Sequence, residues 1–253
     1  MMKNNKILKG IAGAVAIILI IAILVVTNAF VGNPISAARA RHAAKKHIEE
    51  RYSFLNLEAE KPVYNFKNSE YIINVYSNSS IDTHFSIYYR GGDIHDDYET
   101  MVLDKFNTIS RLTKEYSNLV TSLLADELGY KNNRSYVNYQ DDIYENTPEY
   151  IELDMEFDRN LPISVTVSMD IEAQDPSLEK MANILQDAHK VFQENGCIFE
   201  KYDLMAGNDT IYNIHGVKAS QIEDGNLLEI FQQSLEKKGD EFEGVSIFIR
   251  EEK

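Results

Sequence analysis

GIAGAVAIILIIAILVVTNAFV, residues 10–31, carries no charged side chain in 22 positions and stops at Gly32, Asn33 and Pro34. A helix of that length spans roughly 33 Å, against a bilayer hydrocarbon core of about 30 Å, so the run reads as a membrane-spanning helix over 10–32. A cleaved signal has an apolar core of only about 7 to 15 residues, so retention is expected. The small residues Ala38 and Ala40 leave cleavage as the alternative. The rest of the chain must then fold as a separate globule.

The orientation of the span follows from its flanks. Lys3, Lys6 and Lys9 precede it in a short tail, residues 1–9, while Arg39, Arg41, Lys45 and Lys46 follow. Counted alone, the basic residues favour a cytoplasmic globule. A short tail with its lysines directly at the membrane instead suits an uncleaved signal anchor. The reading adopted is a cell-membrane, single-pass protein with the N-terminus cytoplasmic and the globule outside, in the cell envelope.

Removing the three tail lysines from the chain's 25 basic residues leaves 22 against 40 acids, a balance of −18 on the globule. That excludes a broad nucleic-acid footprint, which needs clustered positive charge. An anionic membrane should repel it everywhere except next to the anchor. The partners expected are the lipid bilayer along residues 10–32 and a cationic ligand or envelope protein. The competing reading is a charge that serves solubility alone. The single cysteine, Cys197, excludes an internal disulfide and reads as a core residue.

Helices and strands alternate downstream in an α+β pattern: one transmembrane helix followed by two small domains of antiparallel sheet packed with helices. Asn33 is placed to cap a new helix and Pro34 to occupy its first position. That helix runs to Tyr52 with Ala37, Ala40, Ala44 and Ile48 on its buried face; His42 and His47 are assigned to solvent. Three strands follow, at Tyr64–Phe66, Tyr71–Tyr76 and His84–Arg90. A long helix from Asp96 to Leu128, with a capping box of Asp96 and Glu99, completes a first domain over 33–130. The polar stretch 131–146 opens the second, 131–253. There Ile151–Asp158 reads as the clearest strand, placing Glu152, Asp154, Glu156 and Asp158 on one face, with a second strand over Ile163–Ile171. A helix from Asp175 and Pro176, with His189 exposed, two strands, a helix over 226–238 closed by Gly239, and a last strand at Val245–Ile249 complete it.

Chemistry-bearing candidates are few. Asp93, His95 and Asp97 lie in a ligand-like loop able to hold a divalent cation, though the pattern is not that of an EF-hand. The competing role for this segment is helix capping. The acidic row offers an interaction surface for cations; equivalent solvated carboxylates do not separate their pKa values as catalysis requires. Asn107, Arg111 and Glu115 share a helix face and suit a network joining helix to loop, with a ligand-reading Arg111 as the alternative. No phosphate loop, GxSxG, HExxH or CxxC occurs.

Asn28, Ala29, Phe30, Gly32, Asn33, Pro34, Ile35 and Ser36, the Ala-rich helix ending at Glu50, Arg51 and Tyr52, and the block Asp97, Tyr98, Glu99, Val102, Asn107, Thr108, Arg111, Leu112, Glu115 and Tyr116 resemble the YfjL-like proteins, small membrane-anchored proteins of Bacillus and its relatives. Ile109 departs from that pattern, where an aromatic is expected. The resemblance covers residues 28 to about 120 and implies a retained anchor in a Gram-positive envelope; it implies no activity. The expected function is a non-catalytic binding or interaction module, not an enzyme and without a cofactor. The alternative is a metal-dependent or hydrolytic envelope enzyme built on residues 93–97.

Overall fold

A computed structural model describes residues 2–144, 146–237 and 241–251. Helix α1 (Met2–Val31) carries the apolar run, and its large side chains from Ile11 to Val31 are all exposed. Gly32 ends it at φ +72°, and α2 (Pro34–Arg51) restarts at once. Asn33 caps α2 as expected, its side chain accepting from the Ser36 N–H at 2.8 Å. The junction is held from the sheet below. The Tyr71 hydroxyl accepts from the Asn33 N–H at 2.8 Å and donates to the Asn33 carbonyl at 3.0 Å. A Cβ on Gly32 would lie 2.5 Å from that hydroxyl, so this position requires glycine for space as well as for backbone conformation.

The chain divides into two compact units, 1–107 and 108–253. In the first, β1 (Leu57–Ala59), β2 (Val63–Asn65), β3 (Glu70–Ser77), β4 (His84–Arg90) and β5 (Asp93–Asp96) form an antiparallel sheet, with β1 and β2 sharing one edge of β3. Tyr71 faces Tyr89, Ile73 faces Ile87 and Val75 faces Phe85, so the alternation read in the sequence sets the register. Ala40 and Ala44 of α2, and Tyr52 just past its end, pack on this inward face. Small residues at 40 and 44 let the helix approach the sheet closely. The side chain of His47 joins them rather than facing solvent. Positions 40, 44 and 47 follow the i, i+4, i+7 spacing of one helix face.

The long helix expected from Asp96 is two pieces. A single π-helical turn (Glu99–Leu103) places Val102 in the first core, and Lys105, at φ +62°, breaks the chain before α3 (Phe106–Glu127). From Ile109 onward α3 belongs to the second core, so the division falls after Asn107, within the start of this helix, and not at 130.

The second unit's sheet runs β10–β9–β8–β7–β6, formed by β6 (Tyr136–Tyr139), β7 (Val165–Ile171), β8 (Lys201–Gly207), β9 (Thr210–Lys218) and β10 (Ser246–Glu251). It is mixed rather than antiparallel. β7 and β8 pair in parallel through α4 (Leu178–Glu194), a crossover long enough for that connection. Met181, Leu185, Ala188 and Phe192 of α4 pack with Leu112, Tyr116 and Val120 of α3 in one core. Ser177, not Asp175, caps α4, accepting from the Lys180 N–H. α5 (Ala219–Glu223) and α6 (Leu227–Glu236) complete the helices of the described residues, and the expected stop at Gly239 lies outside them.

The strand expected at Ile151–Asp158 does not form. Leu153 and Asp154 turn, with Asp154 at φ +61°. Ile151, Met155 and Phe157 still reach the core, from an irregular segment outside any strand. β6, conversely, lies inside the polar stretch 131–146; Val137 and Tyr139 bury its inner face.

Candidate functional site

The segment expected to be a loop is a hairpin turn at Gly91 and Gly92 running into β5. Gly91 and Gly92, at φ +62° and +115°, make the two-residue turn joining β4 to β5. Strand alternation puts Asp93 and His95 on the same, outward face of β5. Asp93 and His95 are exposed, with His95 stacked on Tyr88, ring centroids 5.0 Å apart. Asp97, past the strand end, accepts the Ser86 N–H at 2.6 Å and the Tyr88 hydroxyl at 2.9 Å. Burial, and then the Asp97 carboxylate, push the Tyr88 phenol up. Among the described residues no group of three His, Cys, Asp or Glu side chains is arranged to hold a metal ion.

Three other groups converge. His47 Nε2 lies 2.5 Å from Asp96 Oδ2, and the Tyr52 hydroxyl donates to the same oxygen at 2.9 Å. The second oxygen accepts the Tyr98 N–H at 3.1 Å, so Asp96 closes a local turn instead of capping a helix with Glu99. His47 and Asp96 side chains are each 8% exposed. Burial acts to raise the Asp96 pKa, but these donors outweigh it and hold the carboxyl below its usual range. Burial and Asp96 together push the Tyr52 phenol up to about 12. Tyr52, Phe85 and Tyr98 pack ring against ring around the carboxylate, with centroids 4.6 to 5.2 Å apart. Asp96, buried with both oxygens engaged, is poorly placed to take a substrate proton. The cluster is a polar brace tying α2 to the edge strand.

In α3, Asn107 Nδ2 donates to the Asp82 and His84 carbonyls at 2.9 and 2.6 Å. Arg111 pairs with Glu115 at 3.0 Å and donates to the Met155 carbonyl at 2.7 Å, which pins the irregular segment carrying the acidic row. The four row residues Glu152, Asp154, Glu156 and Asp158 are all exposed, but the turn at Asp154 breaks their common face. His189 is buried, against expectation, its Nδ1 2.7 Å from the Tyr202 hydroxyl. Cys197 is fully buried, and burial pushes its thiol up.

Two concavities adjoin the α1–α2 junction within the first unit. A polar one of about 290 Å³ is bounded by Asn28, Arg39, Ser69, Tyr71 and Tyr89. A more open, apolar one of about 770 Å³ is bounded by Pro34, Ile35, Ala38, Ala43 and His42. Arg39 and Tyr89 line both.

A family model described as YfjL-like, N-terminal domain, matches residues 7–98, and one described as YfjL-like C-terminal domain matches residues 115–236. The interval between the two matches contains the division between the compact units. Neither the curated proteins nor the solved structures compared give a match.

Proposed function

The chain belongs to the YfjL-like family, and from that premise we propose that it is a single-pass membrane protein whose two globular units form a non-catalytic binding or interaction module on the outer side of the membrane. The observation that carries this reading is α1. Its apolar side chains from Ile11 to Val26 stand exposed among the described residues, and a helix so apolar and so exposed needs lipid around it. The orientation rests on the lysine-bearing tail before the span.

The non-catalytic reading is supported by the way the candidate ligands are used. Asp97 and Asp96 are engaged by backbone and phenol donors, while Asp93 and His95 face water from a strand. The net negative charge of the globule favours a cationic partner, and Glu152, Asp154, Glu156 and Asp158 are exposed to one. Protease added to intact protoplasts tests the topology: the globule is digested, and protection of the globule until lysis overturns the outward orientation. Retention in the membrane pellet after alkaline carbonate washing tests the anchor itself.

A further inference from the structure

We infer that the base of the first unit holds the headgroup of one anionic phospholipid, with Arg39 on the phosphate in the polar concavity and the glycerol and first acyl carbons in the adjoining apolar one. This inference deepens the proposal that α1 spans the bilayer and rests on it.

The first argument is depth. A helix begun at Gly10 reaches the far side of the hydrocarbon at about Val31, and the polar concavity is built around the residues that follow, Gly32 and Asn33, with Asn28 on its wall. Phe30 packs on Phe66, ring centroids 5.7 Å apart, and Tyr64 on Tyr71 at 5.0 Å. Such a ring of aromatic side chains at the helix exit is what the headgroup layer favours. Phe66 and Ile35 are also strongly exposed there.

The second argument is the donor chemistry presented to solvent. The side chains of Arg39, Ser69 and Tyr89 make no hydrogen bond or ion pair among the described residues, and neither lining contains a carboxylate. A guanidinium and two hydroxyls around one concavity match a phosphodiester. By contrast Lys45 and Lys46, further along α2, sit beside Glu49 and Glu50. α2 as a whole carries Arg39, Arg41, Lys45, Lys46 and Arg51 against two acids, so positive charge gathers next to the anchor of an otherwise acidic globule.

The third argument is continuity. Arg39 and Tyr89 line both concavities, so a ligand with a polar and an apolar end has one path through them. A free phosphate has no use for the apolar half.

The test is native mass spectrometry of the full chain released from nanodiscs of equimolar phosphatidylglycerol and phosphatidylcholine. The wild type should retain one phosphatidylglycerol in preference to phosphatidylcholine. Arg39→Gln should lower that preference about tenfold, Arg39→Lys should lower it less, and Arg41→Gln should leave it intact. Equal retention by wild type and Arg39→Gln overturns the inference, as does displacement of the lipid by inorganic phosphate. A chain that enters nanodiscs but shows no preference defeats this inference alone; a chain that does not enter defeats the anchor reading.

Discussion

His47 on α2 and Asp96 on β5, 49 residues apart in sequence, meet at 2.5 Å in a site almost closed to water. Tyr52 shares the same carboxylate oxygen, so the helix is fastened to the edge strand at two points. Removing Asp96 leaves both donors buried without an acceptor. Asp96→Ala is expected to cost about 3 kcal/mol, read as a lowered urea midpoint of the full chain in detergent by circular dichroism. Loss well under 1 kcal/mol would mean the brace contributes little.

Acid should loosen the same brace. The Asp96 carboxyl is held below its usual range in the folded protein, so its contribution is present above the ordinary carboxylate pKa of about 4 and is lost as pH falls through the depressed value. Asp96→Asn should flatten the acid limb of the stability profile relative to wild type.

Alkali acts through the phenols. Tyr52 and Tyr139 are raised by burial to about 12, from 10.0. Stability they contribute is complete below pH 10 and is lost as pH rises to 12, because the unfolded chain ionises first. Absorbance titration should show these phenols ionising late, and together with unfolding.

Tyr71→Phe removes both hydrogen bonds to Asn33 while keeping the ring. The expected cost is about 2 kcal/mol, with faster proteolysis between residues 28 and 40. An unchanged cleavage pattern would show that the α1–α2 joint is fixed by other contacts.

Cys197 should resist a thiol reagent in the native protein and react fully once unfolded, since it is 0% exposed and its thiol is pushed up. Prompt native labelling would contradict its core position.

The parts of this fold legible in sequence were those with a strong local period or a capping residue. The apolar run, the Asn33–Pro34 restart, the β3–β4 pairing and the apolar face of α4 all belong to that class. Three features were hidden for physical reasons. Gly91–Gly92 is a hairpin signal, but the acids after it also suit a ligand loop, and only the pairing of Tyr88 with His95 reveals a strand there. The alternation at 151–158 was genuine yet produced no strand, because alternate burial needs only a core on one side, whereas a strand needs a neighbour with free backbone groups. His47 could have been placed by its helix-face spacing; its partner Asp96 could not, since nothing local brings positions 47 and 96 together. The parallel β7–β8 pairing is likewise a long-range choice that the length of α4 permits without specifying.

One residue separates the end of α1 from the cap of α2, and Tyr71 grips that cap from both sides. If α1 lies in the bilayer, the first unit rides on it as a stiff bracket, not as a weight on a string. It has no slack with which to search the space above the membrane. In that case its encounters would be set by lateral diffusion, its partners would share the membrane plane or reach down to it, and a tilt of α1 would reach β3 through one phenol.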